Sequence, residues 1–218
     1  MINISFYTYE ISIFLFLIIK FSMGGKTSKN SHNPKRTSIF SILGVGSSCV
    51  GKTSLIMRYD SLLNNKKRDI DITNVMTTVL TEYTIITTTV KGDQNEDIEI
   101  KVKIWDTPGQ ERFQSVWKTA LINTQGVFLI YNITRKESFN DLDQWINKIK
   151  ETQDISELPI IIMANKIDLK DKRVVTINEG KKIADDNGLP YFETSALTGE
   201  GVNEAFQQLI QTVYNKRK

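Results

Sequence analysis

The sequence predicts an α/β fold built on a mainly parallel β-sheet that helices cover on both faces. Two runs, Gly126–Asn132 and Pro159–Ala164, are continuously apolar, which is typical of strands buried on both sides. From Ile39 onward, strand-like runs alternate with amphipathic stretches, and this alternation favours parallel strands joined by right-handed helical crossovers. The extended runs on either side of residues 91–93 are the exception, because they predict an antiparallel hairpin.

Six extended runs are the strand candidates. In chain order they are Ile39–Val45, Thr78–Val90, Ile98–Trp105, Gly126–Asn132, Pro159–Ala164 and Pro190–Glu193. Two patterns, Thr134-x-x-Glu137 and Thr176-x-x-Glu179, predict helix starts with a capping box, in which the threonine and glutamate side chains bind each other's backbone N–H groups. Ligands of such a sheet bind at the carboxyl ends of its strands.

The composition excludes several classes of protein. With 218 residues, 40% hydrophobic and 24% charged, the chain can bury a core, which excludes a disordered protein. Cys49 is the single cysteine and His32 the single histidine, so an intrachain disulfide, a cysteine zinc cluster and a histidine-based triad are excluded. Any catalysis must therefore use carboxylates, amides, hydroxyls, lysines, arginines or a bound metal–nucleotide complex.

The positive charge is concentrated at the N-terminus. Residues 1–41 contain five basic residues and one acidic residue, whereas the other 177 residues contain 23 basic and 24 acidic residues. The globular part is close to neutral, which does not indicate a nucleic-acid-binding protein. We predict an apolar segment and a basic, Ser/Asn/Gly-containing linker over residues 1–37, followed by one globular domain over residues 38–218.

Residues 46–53 (GSSCVGKT) match the pattern GxxxxGK[ST] between a predicted strand and a predicted helix. In such a loop, backbone N–H groups surround phosphates and the helix N-terminus adds its dipole. Lys52 is predicted to reach the outer phosphates and the Thr53 hydroxyl to bind Mg²⁺. A chance match is the alternative, which the strand–loop–helix context disfavours. The predicted phosphate-binding residues are Gly46, Ser47, Ser48, Cys49, Val50, Gly51, Lys52, Thr53 and Ser54.

A second motif, WDTPGQE at residues 105–111, follows another predicted strand. A carboxylate at Asp106 can hold Mg²⁺ through water, and Gly109 lets a backbone N–H approach the terminal phosphate. By itself DTPG is an ordinary turn. The phosphate-binding pattern upstream favours the functional interpretation.

A third motif, NKID at residues 165–168, follows an apolar strand, and a fourth, ETSA at residues 193–196, follows the next strand. The Asp168 carboxylate can accept hydrogen bonds from both N–H donors on the edge of guanine. Adenine does not offer these donors, so its binding would leave the carboxylate unpaired. The backbone N–H of Ala196 can donate to the guanine carbonyl. Alone, NKxD also fits a solvated loop. The predicted base-site residues are Asn165, Lys166, Asp168, Ser195, Ala196 and Leu197.

These four motifs, in this order, resemble the small GTPases of the Ras superfamily. Trp105 before DTPGQE, the run ESFN at residues 137–140 and ETSA resemble the Rab branch. The resemblance spans about residues 38–214 and implies a P-loop NTPase G domain with a six-stranded sheet, one antiparallel hairpin and about five helices. It also implies that GTP or GDP and Mg²⁺ bind, and that Gln110 orients the attacking water while Lys52 stabilises charge.

The resemblance implies further partners and one further ligand of Mg²⁺. A switch threonine binds Mg²⁺ in the GTP state, and Thr78 fits that position best; Thr73 and Thr77 are alternatives because the segment after Thr53 is several residues longer than in the family. Turnover is expected to be slow and stimulated by a GTPase-activating protein. An exchange factor and effectors are also implied, for a monomer acting in membrane trafficking on the cytosolic face of an endomembrane.

Two other function classes stay open at this point. A P-loop kinase or ATPase would share residues 46–53 but has no use for NKxD and ETSA. A module that binds GTP without hydrolysing it would not need Gln110. We therefore favour a GTP-hydrolysing switch.

Attachment to a membrane is predicted to use the N-terminus. The chain ends in Lys216–Lys218 without the cysteine that prenylation requires. If translation begins at Met23, the string MGGKTS at residues 23–28 fits N-myristoylation of Gly24, with the basic linker as the second membrane signal. The alternatives are insertion of the apolar segment at residues 11–21, which is short of the ~20 residues of a span, and a chance string in a solvated linker.

Overall fold

The computed structural model describes residues 39–64, 82–107 and 114–217. Within them the strands are β1 (Ile39–Val45), β2 (Glu82–Lys91), β3 (Asp97–Asp106), β4 (Gly126–Asn132), β5 (Ile160–Asn165) and β6 (Tyr191–Thr194). The helices are α1 (Lys52–Leu63), α2 (Gln114–Ile122), α3 (Lys136–Asn140), α4 (Leu142–Lys150), α5 (Ile177–Asp186) and α6 (Val202–Lys216), with a 3₁₀ helix at Lys170–Lys172. None of these helices is long and apolar enough to cross a membrane.

The described strands form one six-stranded sheet in the order β2-β3-β1-β4-β5-β6. Strands β2 and β3 pair antiparallel, and the other neighbouring pairs are parallel. The register sets Gly44 opposite Asp106 and Asn165 opposite both Asn132 and Thr194. The segments that follow β1, β3, β5 and β6 therefore meet at one edge of the sheet, which confirms the predicted fold class.

Two apolar cores lie on the two faces of the sheet, and β1 contributes alternate residues to both. Phe40 and Ile42 face the core under α1 and α6, where Tyr59 stacks on Phe206 with ring centroids 4.3 Å apart. Leu43 lies in the other core, under α2, α4 and α5. Because β4 and β5 are covered in the same way, every residue of both strands is buried, as their continuous apolar sequence predicts.

One of the two predicted capping boxes is present. At the start of α5, the Thr176 hydroxyl accepts from the Glu179 N–H at 3.2 Å, and the Glu179 carboxylate accepts from the Thr176 N–H at 2.8 Å. The prediction at Thr134 is wrong, because α3 begins after Arg135. The Thr134 N–H and hydroxyl instead both donate to Asn132 Oδ1 at 2.9 Å, in a turn that precedes the helix.

Other element bounds differ slightly from the prediction. Strands β5 and β6 begin one residue after Pro159 and Pro190, since proline has no N–H to donate to a neighbouring strand. A single residue, Asp141, separates α3 from α4. If these two are counted as one bent segment, the described residues contain five α-helical segments besides the 3₁₀ helix, as many as the resemblance implied.

Candidate functional site

The backbone of the phosphate-binding loop (residues 46–53) requires glycine at two positions. Gly46 has φ +145° and Gly51 has φ +100°. A Cβ on Gly46 would collide with the carbonyl oxygen of Ile130, and a Cβ on Gly51 would collide with the amide nitrogen of Asn165. The loop therefore lies directly against the carboxyl ends of β4 and β5, as close as backbone allows.

Lys52 is buried in this loop and its ammonium binds the loop's own carbonyls. The side chain is 6% exposed, and Nζ donates to the carbonyls of Gly46 at 2.8 Å and Ser47 at 3.0 Å. Burial lowers the pKa of Lys52 to about 8, and the negative charge of Asp106 partly opposes this shift. An anion that binds beside this ammonium would stabilise its charged form.

Two residues predicted to bind Mg²⁺ are in direct contact. Thr53, in the first turn of α1, donates its hydroxyl to Asp106 Oδ2 at 2.5 Å, and Asp106 at the end of β3 is 8% exposed. A hydroxyl and a carboxylate are hard oxygen ligands of the kind Mg²⁺ prefers, so this pair fits the ion. Thr78, Gly109 and Gln110 lie outside the described residues, as do the alternatives Thr73 and Thr77.

The end of β5 connects the phosphate-binding loop to the predicted base site. Asn165, 1% exposed, donates from Nδ2 to the Val50 carbonyl at 2.8 Å, and its Oδ1 accepts from the Ala196 N–H at 3.2 Å. The next residue, Lys166, adopts φ +72° and donates from Nζ to the Cys49 carbonyl at 3.0 Å. These side chains hold together the three loops that follow β1, β5 and β6.

The predicted base-recognition carboxylate is oriented by a buried serine. Asp168 Oδ1 accepts from the Ser195 hydroxyl at 2.5 Å, and the Ser195 oxygen accepts from the Thr198 N–H at 3.1 Å. Ser195 is completely buried. The Ala196 N–H, predicted to donate to guanine, donates to Asn165 in this structure, so a base carbonyl would share or replace that acceptor.

Comparison of the sequence with known proteins identifies one family. The family model of the Ras family matches residues 41–215. The chain belongs to the Ras family. It is 36% identical over 172 residues to the Ras-related protein Rab-4 of Dictyostelium discoideum, covering 79% of this chain and 78% of that protein.

Two further Rab relatives cover similar shares. The chain is 37% identical over 177 residues to the Ras-related protein RABA5a of Arabidopsis thaliana, with 81% of this chain and 74% of that protein covered. It is 35% identical over 178 residues to the Ras-related protein Rab-8B of Homo sapiens, with 82% and 80% covered. The protein is thus a Rab-like small GTPase, which binds guanine nucleotide and hydrolyses GTP.

One residue of this Rab-like GTPase that sequence reasoning missed is Arg58, on α1. Its Nε donates to the carbonyl of Ala196 at 2.7 Å and its Nη2 donates to the carbonyl of Leu197 at 2.6 Å. The guanidinium thus fixes the loop that carries three of the predicted base-site residues. No local pattern marks this contact, because the partners are 138 and 139 residues apart in sequence.

The segment that follows β4 supplies two more residues that sequence reasoning missed, Arg135 immediately before α3 and Asp141 immediately after it. Asp141 Oδ2 accepts from the Ser47 hydroxyl at 2.5 Å, and Arg135 Nη2 donates to the Ser48 carbonyl at 2.6 Å. Strand β4 lies beside β1 in the sheet, so the segment that follows β4 reaches the same edge as the phosphate-binding loop. That position could have been inferred from the topology, although the contacts could not.

Proposed function

We propose that this Rab-like GTPase is a molecular switch whose GTP-bound state recruits effectors in membrane trafficking, with the nucleotide site at the carboxyl edge of the sheet. The observation that carries the site assignment is the connection of the loops after β1, β5 and β6 through Asn165 and Lys166. Residues that bind phosphate and residues that bind base belong to one connected unit.

The base is assigned to the loops after β5 and β6. The Asp168 carboxylate, held by Ser195, accepts the two N–H donors on the guanine edge. Asn165 positions the Ala196 backbone, and Arg58 holds the same loop from α1. Adenine would leave the carboxylate without donors, which is the physical basis of the preference.

The phosphates are assigned to the loop at residues 46–53, with Lys52 on the outer phosphates. Mg²⁺ would be held by the Thr53 hydroxyl and, through water, by Asp106, with Thr78 as the added ligand in the GTP state. When bound, Mg²⁺ neutralises charge on the phosphate oxygens. The Thr53–Asp106 contact supports this assignment because the two oxygens lie 2.5 Å apart and the charge of Asp106 acts on Lys52.

Hydrolysis is assigned to positioning and electrostatic stabilisation rather than to a side-chain base. The single histidine, His32, lies 14 residues before Gly46, outside the described residues. Gln110 is proposed to orient the attacking water, while the Lys52 ammonium stabilises negative charge as the terminal phosphoryl group departs. The test is single-turnover phosphate release: Gln110→Leu should slow it while GDP affinity is kept, and unchanged hydrolysis would contradict the assignment.

Effector binding is assigned to the exposed face of β2 and β3. In the sequence, residues 65–81 with the proposed switch threonine precede β2, and residues 108–113 with Gln110 follow β3. Tyr83 and Ile85 are 50% and 52% exposed, although both are large apolar residues. Tyr83 contacts Trp105 edge to face at 5.2 Å, and the Lys103 ammonium lies 4.0 and 3.9 Å from the centres of these two rings. Such a surface favours a protein partner. Capture of proteins by the GTP-loaded but not the GDP-loaded chain tests this role.

Membrane contact is assigned to the N-terminus, with the protein on the cytosolic face of an endomembrane. Myristoylation of Gly24 after initiation at Met23, together with the basic linker, would supply two membrane signals. Intact-mass analysis of the native protein tests this: a chain that starts at a myristoylated Gly24 supports the proposal. A chain that starts at Met1, or an unmodified Gly24, contradicts it.

A further inference from the structure

Hydrogen bonds fix both the backbone and the guanidinium of Arg135 beside the phosphate-binding loop. It immediately precedes α3 with an extended backbone (φ −141°, ψ 101°). Its N–H donates to the Asn132 carbonyl at 3.0 Å and its carbonyl accepts from the Ser138 hydroxyl at 2.7 Å. At the other end, Nη2 donates to the Ser48 carbonyl at 2.6 Å. The guanidinium therefore has a defined position.

The Arg135 guanidinium is the third cation bound to consecutive carbonyls of this loop. The Lys52 ammonium binds the carbonyls of residues 46 and 47, and the Lys166 ammonium binds the carbonyl of residue 49. The carbonyl of Ser48, which Arg135 binds, lies between them in sequence. The charge of Arg135 acts on both lysines, since it contributes to the lowering of the pKa of each.

These three cations have no ion pair with a carboxylate in the parts of the chain that the structure describes. The carboxylates of Asp106 and Asp168 act on Lys52 and Lys166 without forming an ion pair with them. The three like charges therefore still repel one another, and a polyanion relieves that repulsion. Arg173 shows the contrast: both of its Nη atoms donate to the Glu193 carboxylate, at 2.9 and 3.0 Å. Arg173 is thus paired with a carboxylate, whereas Arg135 forms no ion pair with any of the described residues.

Most N–H donors of the Arg135 guanidinium are available to a ligand. A guanidinium has five N–H donors, and one side-chain bond, to Ser48, is formed among the described residues. Four donors thus remain for a ligand on a fixed, half-buried, permanently charged group. Planar guanidinium groups are well suited to phosphate oxygens.

We propose that Arg135 is a catalytic residue of this GTPase, which donates in cis to the outer phosphates of bound GTP. This inference rests on the proposed phosphate site. In the reaction, the water oxygen bonds to the γ-phosphorus while the bond from that phosphorus to the β–γ bridging oxygen breaks, and its electron pair stays on the bridging oxygen. The proton of the water ends on the released phosphate. Arg135 keeps its own protons and stabilises the charge that develops.

The test is single-turnover hydrolysis by the full chain loaded with GTP and Mg²⁺, without an activating protein. Arg135→Ala should slow hydrolysis about tenfold or more, the order by which an arginine in cis raises intrinsic rates. Its GDP dissociation constant should stay within about threefold of that of the unmodified chain. Arg135→Lys, which keeps the charge but loses the planar fork, should have an intermediate rate.

A matched control removes one positive charge from the neighbouring position. Lys136 pairs with Glu179, away from the loop, so Lys136→Ala should hydrolyse GTP at the rate of the unmodified chain. A second readout is fluoroaluminate, a mimic of the transferring phosphoryl group. It should bind the GDP complex of the unmodified chain and fail to bind that of Arg135→Ala.

The inference is overturned if Arg135→Ala hydrolyses GTP at the normal rate, or if its GDP affinity falls as much as its rate, since Arg135 would then only support the loop. Should the alanine variant not fold, Arg135→Lys decides: a full rate overturns the inference and a reduced rate with normal GDP affinity supports it. If the unmodified chain does not release phosphate at all, the proposed function fails instead.

Discussion

The amide nitrogen of Asn165 donates to the carbonyl of Val50 at 2.8 Å, which joins the end of β5 to the phosphate-binding loop. The same side chain accepts from the Ala196 N–H. Because Asn165 is 1% exposed, its partners are shielded from water. One residue thus fixes the distance between the proposed phosphate and base subsites.

We expect Asn165→Ala to destabilise the protein and to accelerate nucleotide release. The substitution leaves the buried Val50 carbonyl and Ala196 N–H without their partner, which costs about 1–3 kcal/mol of the free energy of unfolding. Urea unfolding and the dissociation rate of fluorescent GDP measure the two effects. The control is Asn123→Ala, because Asn123 is exposed and its amide bond to the Thr119 carbonyl is long, at 3.4 Å. Equal stability of the two variants would contradict the role of Asn165.

Asp168→Asn should change the base preference of the site from guanine to xanthine. The edge of an amide that faces the base presents one N–H donor and one carbonyl acceptor. It therefore suits xanthine, which has an N–H and an oxo group there, better than guanine, which has two N–H donors. We expect GDP affinity to fall and xanthosine diphosphate affinity to rise, measured by competition. Asp171→Asn, which removes an exposed carboxylate from the neighbouring 3₁₀ helix, should change neither. GDP binding by Asp168→Asn as tight as that of the unmodified chain would refute the assignment.

Arg58→Ala should weaken guanine-nucleotide binding although Arg58 lies on the helix beneath the base loop. Its guanidinium donates to two successive carbonyls of that loop, and a hydrogen bond from a charged group contributes roughly 1.5–3 kcal/mol. A rise in GDP dissociation rate of about tenfold or more is expected. Arg217→Ala, an exposed arginine at the end of α6, is the control. The role is refuted if the two variants release GDP at the same rate.

The capping box of α5 should make part of the stability dependent on pH. The Lys136 ammonium and the Thr176 N–H lower the pKa of Glu179 to about 2. Since the folded-state pKa lies below the unfolded value, the carboxylate contributes stability above about pH 4.5, and this contribution disappears as the pH falls to about 2. Glu179→Gln should therefore lower the Tm at pH 7 and have little effect near pH 2.

Glu99→Gln is the control for this pH dependence, because Glu99 is an exposed residue of β3. We expect the Tm difference between this variant and the unmodified chain to be small at both pH values. A Glu179→Gln deficit of constant size from pH 7 to pH 2 would show that the charge of Glu179 is not what stabilises the start of α5.

The sheet could be predicted because hydrophobic pattern and topology agree locally. The continuous apolar runs of β4 and β5 predict central strands of a parallel sheet that is covered on both faces. In such a sheet the carboxyl ends of the strands lie at one edge. The capping prediction at Thr134 failed because the Asn132 side chain, two residues earlier, captured the threonine hydroxyl. A four-residue pattern does not contain that competitor.

The polar contacts that connect the loops were outside the reach of sequence reasoning. Arg58 meets Ala196 across 138 positions and Arg135 meets Ser48 across 87, so neither pair belongs to one motif. Asn165 was predicted from its motif as a nucleotide residue, whereas its contacts in the structure are with Val50 and Ala196. Motifs identify which residues gather at a site; their mutual hydrogen bonds depend on the folded geometry.

Competition between nucleotides tests the central claim, that these loops form one guanine-nucleotide site, most directly. Fluorescent GDP is bound to the full chain with Mg²⁺ and displaced by unlabelled GDP or ADP. We expect GDP to displace the probe at concentrations similar to that of the probe. ADP should fail to displace it even in about 1,000-fold excess, because a site built to hydrogen-bond one ligand discriminates against an analogue without those groups by a factor of about 10⁴–10⁵. Displacement by ADP as effective as that by GDP would contradict the claim.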